Sequence, residues 1–254
     1  MTLLSVSAAA LAMMCASANA QLTPDGPALA AGLGVGTTLE ELAGGEAAST
    51  YDASTGTLTL TGDGFYTHDA DVSGTAFGAF FATQTFTPTD SFPVEISPVV
   101  TADFKVANGG FLSSDTPRTG ITYGFFLFET GNFDPGNTLE PGDLGDLLVL
   151  PYDFETFPSN GLLEGNGFAV IDETATGDSF VLASGISYTA VLRIAAESSL
   201  SDLPDSVTST TFIEAGGLSG FDGLSVALNA RFVPEPAMLG LAVFAPMLLG
   251  RRRR

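Results

Sequence analysis

Residues 186–194 read Ile186-Ser187-Tyr188-Thr189-Ala190-Val191-Leu192-Arg193-Ile194. Tyr188, Ala190, Leu192 and Ile194 fall on one side of an extended chain, with Ser187, Thr189 and Arg193 on the other. Successive side chains of a strand point to opposite faces, so this period of two predicts a half-buried β-strand with the first set inward. The pattern recurs. Gly56 to Thr61 alternates Thr and Leu before Gly62-Asp63-Gly64, which reads as a turn. In Ala102–Ala107, Ala102, Phe104 and Val106 oppose Asp103 and Lys105. In the last such segment Leu224, Val226, Leu228, Ala230 and Phe232 oppose Ser225, Asn229 and Arg231.

Two runs, Ala76–Phe81 and Tyr123–Phe128, are apolar on both faces, which predicts central strands covered on each side. Gly, Pro, Asp and Asn separate these strand-length segments, and no long helical stripe interrupts them. The expected fold is therefore all-β, an antiparallel β-sandwich over residues 51–232. In strand order and spacing it is similar to concanavalin-like jelly rolls. Residues 21–50, rich in Ala, Gly and Thr, read as a spacer, and Thr38-Leu39-Glu40-Glu41 has capping-box spacing for one helical turn.

Charge narrows the function. The chain has 254 residues, with 29 acids against 8 Lys and Arg. Without residues 233–254, four bases (Lys105, Arg118, Arg193, Arg231) face 28 acids, a net charge of about −24. Nucleic-acid binding depends on cationic side chains displacing counterions, so DNA and RNA are excluded as partners. The plain reading of the acidity is solubility outside the cell. The single cysteine, Cys15, lies in the first twenty residues. A chain lacking them has no thiol for disulfides, thiolate catalysis or Cys-based zinc sites.

The two ends carry addressing signals. Residues 1–20 hold an apolar stretch from Leu3 to Met14, then Ala18-Asn19-Ala20, a small-x-small cleavage signal. This is the pattern of a signal peptide cut after Ala20, leaving Gln21 first. Its apolar run is too short for a spanning helix. Residues 233–254 begin with Val233-Pro234-Glu235-Pro236, stiff and non-helical because proline fixes φ and restricts its predecessor. Ala237–Gly250 is uncharged and apolar, and Arg251, Arg252, Arg253 and Arg254 close the chain. Half of the chain's eight bases thus stand beyond an apolar segment, where they hold that end in the cytoplasm and stop transfer. Fourteen residues span about 21 Å as a helix, short of the roughly 30 Å hydrocarbon core, so the anchor is a weak one.

A Val-Pro-Glu-Pro tetrapeptide, an apolar segment and a terminal Arg cluster behind a signal peptide resemble the PEP-CTERM sorting proteins. The resemblance covers about a tenth of the chain. It implies transient anchoring in the inner membrane and recognition by an exosortase, a membrane-embedded cysteine protease or transpeptidase. That enzyme would process the chain near Pro234-Glu235-Pro236 and release or attach it outside, often in an exopolysaccharide-rich matrix. The tail implies nothing about the folded middle.

Within the middle, catalytic signatures are sparse. The one histidine, His68, lies among polar residues and reads as an exposed turn, and no Gly-x-Ser-x-Gly elbow or Walker loop occurs. Gly32-Leu33-Gly34-Val35-Gly36 lacks the spacing of a nucleotide-binding loop. The acids cluster in Gly/Pro turns rather than at alternating strand positions, so glycoside hydrolysis and other enzymatic roles are not expected. The densest acidic segment holds Asp134, Asn137, Glu140, Asp143 and Asp146, hard oxygen donors between flexible glycines. That chemistry suits calcium, although the spacing is not that of an EF-hand and a solvated acidic turn is the simpler reading. No other cofactor is implied. The expected function is that of a secreted structural or adhesive protein of the cell surface or extracellular matrix. The alternative is a calcium-assisted polysaccharide-binding module, for which Tyr66, Tyr123 or Tyr152 would line a groove; the chain has no Trp for sugar stacking.

Overall fold

The computed structural model describes residues 21–36, 45–70, 74–88, 93–109, 118–132, 148–157, 163–164, 167–200, 209–215 and 223–233. Every regular element among them is a strand. In chain order these are β1 (Leu22–Pro24), β2 (Leu29–Gly36), β3 (Glu46–Asp52), β4 (Thr57–Ala70), β5 (Gly74–Pro88), β6 (Val94–Gly109) and β7 (Arg118–Glu129). Then follow β8 (Leu148–Phe157), β9 (Leu163–Glu164), β10 (Gly167–Thr176), β11 (Phe180–Leu182), β12 (Tyr188–Leu200), β13 (Ser209–Ala215) and β14 (Gly223–Phe232).

They form two antiparallel sheets. In the first, β5, β12 and β7 lie side by side, with β1 and β2 along the free side of β5 and β8 and β9 along that of β7. In the second, β6 and β4 flank β13 and β14, with β10 and β11 outside β6 and β3 outside β4.

Alternation explains how the sheets meet. Leu58 and Leu60 of β4, Val100, Ala102 and Phe104 of β6, and Leu224, Val226, Leu228 and Ala230 of β14 are buried. They pack in one core with Phe80, Ala82 and Phe86 of β5, Tyr123, Phe125 and Leu127 of β7, and Tyr188, Ala190, Leu192 and Ile194 of β12. Phe104 and Tyr123 meet edge to face across it at 5.3 Å and 86°, a geometry the ring quadrupoles favour. Two polar links join the sheets at opposite flanks. On one, the Ser49 hydroxyl donates to Oε1 of buried Gln84, whose Nε2 donates to the carbonyls of Thr85 (2.6 Å) and Gly26 (3.2 Å). On the other, the Tyr123 hydroxyl donates to Glu173 Oε2 at 2.8 Å.

The inward set of β12 is as expected, but its other face departs from the expectation. Thr189 and Arg193 point away from the inter-sheet core and are nevertheless buried, Arg193 to 3% exposure. Ala79, Phe81, Phe126, Phe128 and Val191 are buried on that same face. Around these residues the sheet is buried on both faces, as the doubly apolar runs predicted for 79–81 of β5 and 123–128 of β7; the side chains of 76–78 lie outside the described residues. Period two assigns a side chain to a face; it carries no information about what lies over the face.

Three further expectations are corrected. Gly62-Asp63-Gly64 is not a turn: it continues β4 from Thr57 to Ala70. Gly62 faces the other sheet, and a Cβ there would stand 2.7 Å from the Ala82 Cβ, so close approach of the sheets accounts for the glycine. The actual turn lies between β3 and β4. There Asp52 Oδ1 accepts from the Ser54 amide (2.8 Å) and hydroxyl (2.7 Å), while Gly56 takes φ +72°. Second, the stretch expected as a spacer carries β1, β2 and most of β3, which extend both sheets, and Leu22 belongs to the core. Third, His68 sits within β4, opposite Thr211 of β13, rather than in a turn. Thr38–Glu41 lies outside the described residues.

Candidate functional site

β14, the last described strand, ends directly before Val233-Pro234-Glu235-Pro236. β14 is paired on both sides: Gly223–Phe232 runs against Asp103–Val94 of β6, and Leu224–Asn229 against Gly62–Thr57 of β4. Its alternating Leu224, Val226, Leu228 and Ala230 sink into the core, which places Arg231 on the outer face beside Glu95. The guanidinium donates twice to that carboxylate, from Nε to Oε2 at 2.8 Å and from an Nη to Oε1 at 2.6 Å. This planar fork is the strong form of an Arg–carboxylate pair. Hydrogen bonds from Arg231 and then Ser179 hold the Glu95 carboxyl at about 2, well below its ordinary value. One residue on, the Val233 amide donates to the Pro93 carbonyl at 3.2 Å. The next residues in sequence are Pro234, Glu235 and Pro236. The chain is therefore fastened up to Val233, the first residue of the Val-Pro-Glu-Pro tetrapeptide.

Away from that junction, the outer face of the second sheet is a hydroxyl surface. Thr57, Thr59 and Thr61 of β4 alternate with buried Leu58 and Leu60, and Thr101, Ser225 and Thr174 stand on β6, β14 and β10 in the same row as Thr61. The Thr57 hydroxyl donates to Asn229 Oδ1 at 3.0 Å, and the Thr101 and Thr174 hydroxyls are 3.3 Å apart. One row further along, Asp103 is paired with Asp172 and with Gly223, and Asp63 with Glu46. That row is acidic. A third polar group gathers at one end of the first sheet. Asp25 Oδ2 accepts from Thr87 (2.6 Å) and Ser187 (3.4 Å), and the Ser187 hydroxyl continues to Thr130 at 2.9 Å. Thr130 in turn reaches Thr189 at 3.3 Å.

Of the residues singled out in the sequence, Val233 closes the described C-terminal segment and Gln21 opens the N-terminal one, exposed. Ala18, Ala20, Pro234, Glu235, Pro236 and Arg251–Arg254 lie outside the described residues, as do the calcium candidates Asp134, Asn137, Glu140, Asp143 and Asp146. Tyr123, expected as a possible groove residue, is instead a core residue at 4% exposure. Among the described residues no group of three or more His, Cys, Asp and Glu side chains is placed to hold a metal ion, and no helix is long and apolar enough to cross a membrane. The Glu95–Arg231 fork was not foreseen, because 136 residues separate its partners and only the pairing of β6 with β14 unites them.

No protein-family model and no curated protein matches the chain.

Proposed function

We propose that this chain is a secreted, non-enzymatic protein of the cell surface or extracellular matrix, exported by its signal peptide and processed by an exosortase at Pro234-Glu235-Pro236. The apolar segment and Arg251–Arg254 anchor it in the inner membrane until that step, and a sandwich of the jelly-roll type is the part displayed. The observation that carries the reading is the junction. β14 ends at Phe232, the Val233 amide is bonded to Pro93, and the tetrapeptide begins at once, so a cut there leaves the strand and its clamp intact. The test is the intact mass of the protein recovered from its host, with the cell fraction recorded. A mass running from Gln21 to between Val233 and Pro236, in medium or matrix, supports the reading. A membrane-bound species still ending at Arg254 refutes it.

A second reading is favoured by the hydroxyl face. Thr57, Thr59, Thr61, Thr101, Thr174 and Ser225 form an uncharged surface on a chain of net charge −21. Such a surface suits hydrogen bonding to a neutral matrix polysaccharide, whereas the acidic row beside it would repel an anionic one. Binding to neutral but not acidic glycans on an array is the expected result, and no glycan binding at all would dismiss it.

A further inference from the structure

The two ends of the folded chain are built for different mechanical loads. β5 ends at Pro88 and β6 begins at Val94, six peptide links on, so these two residues lie at one end of the sandwich. Leu22 is paired with Pro88 and Phe232 with Val94, so the chain enters and leaves the fold at that same end. The entering strand, β1, is three residues long and among the described residues pairs only with β5. The leaving strand, β14, is ten residues long, lies inside its sheet, and is paired along its length with β6 and along Leu224–Asn229 with β4.

We infer that β14 is a load-bearing tether strand, through which a protein held at its processed C-terminus transmits force into the fold. The inference rests on the reading that the chain is cut and held near Pro234–Pro236. Hydrogen bonds of antiparallel pairs stand perpendicular to the strands. Force entering at Pro234 acts along β14, so both ladders are sheared together instead of opening one bond at a time. Burial of Leu224, Val226, Leu228 and Ala230 resists the same displacement, because sliding by one residue would turn those side chains out of the core. The Arg231–Glu95 fork and the Val233–Pro93 bond sit where the load arrives. They close the frayed end from which peeling would start. The hydroxyl face lies on the same sheet, so a ligand gripped there is connected to the tether through β4 and β6 directly.

The experiment is constant-force spectroscopy on the full chain carrying Cys15→Ser. One handle is attached at Glu46→Cys, an exposed residue on β3 at the end of the sheet opposite Phe232. The other handle is placed either at the C-terminus or at Gln21→Cys. The expected result is a lifetime at equal force at least about tenfold longer with the C-terminal handle, since many paired residues rather than three must yield together. Arg231→Ala should shorten the lifetime in the C-terminal geometry and leave the Gln21 geometry unchanged. Equal lifetimes in the two geometries, or an Arg231→Ala effect of the same size in both, would overturn the inference. Intact mass tests the processing premise separately, so a failure of sorting and a failure of the tether register in different measurements.

Discussion

Gly62→Ala tests the closeness of the two sheets, on which the packing of the core depends. The added methyl would lie 2.7 Å from the Ala82 Cβ and 3.1 Å from Phe80 Cε1. Carbon atoms rest at about 3.5–4.0 Å, so roughly 1 Å of separation must be found. The Phe80 ring can swing; the Ala82 methyl is fixed to the backbone of β5, paired on both its sides. The sheets must therefore part locally, an overpacking cost of about 1–3 kcal/mol. Replacing a strand glycine with alanine also restricts the unfolded chain and returns about 0.5–1 kcal/mol. The steric term wins. A net loss of about 1–2 kcal/mol is expected, read as a lower midpoint in urea unfolding and a fall in Tm of roughly 2–8 °C. Adding Ala82→Gly removes the clash, so the double variant should recover at least about 1 kcal/mol relative to additivity. A Gly62→Ala protein as stable as the parent, or strictly additive behaviour with Ala82→Gly, would refute the argument.

Gln84→Leu should cost about 1–3 kcal/mol, because the Gly26 carbonyl and the Ser49 hydroxyl lose a buried partner; adding Ser49→Ala should recover part of it in the same unfolding assay. The Glu95 carboxyl is held at about 2 by Arg231 and Ser179, so its contribution is complete above the ordinary carboxylate range and is lost as pH falls through about 2. Urea unfolding at pH 5 and pH 2.5 should accordingly show a steeper loss for the parent than for Glu95→Gln, with the difference shrinking in high salt because the pair is solvent-accessible. Tyr123→Phe removes the hydrogen bond to Glu173 and keeps the ring against Phe104, so a loss of about 0.5–1.5 kcal/mol is expected, far below that of Tyr123→Ala. Millimolar calcium should leave Tm unchanged if residues 134–146 are a solvated turn, whereas a rise of several degrees would assign those oxygens to a cation.

Strand identity was legible in the sequence because one face of each sheet is buried and the backbone alternates. Leu58, Leu60, Ala102, Phe104, Leu224 and Val226 announce their inward face through their polar neighbours, and the structure buries all six. The strands before Tyr51 were not legible, since β1, β2 and β3 lie at sheet edges, where Ala, Gly and Thr satisfy a pattern too weak to stand out. The expectation of no nucleic-acid partner came from net charge, which needs no coordinates, and the Val-Pro-Glu-Pro tetrapeptide is read from consecutive residues.

What remained belongs to tertiary structure. Gly62 looks like part of a turn in one dimension; only the nearness of Ala82 across the core gives it a different reason. Arg193 alternates as an outward residue should and is nevertheless buried, which no local pattern records. The Glu95–Arg231 fork, the Ser49–Gln84 link and the double pairing of β14 join residues far apart in the chain. Sequence periodicity reports which side of a strand meets an interior. Which strand lies next to which, and therefore where charge, hydroxyls and load come together, is decided when the sheets assemble.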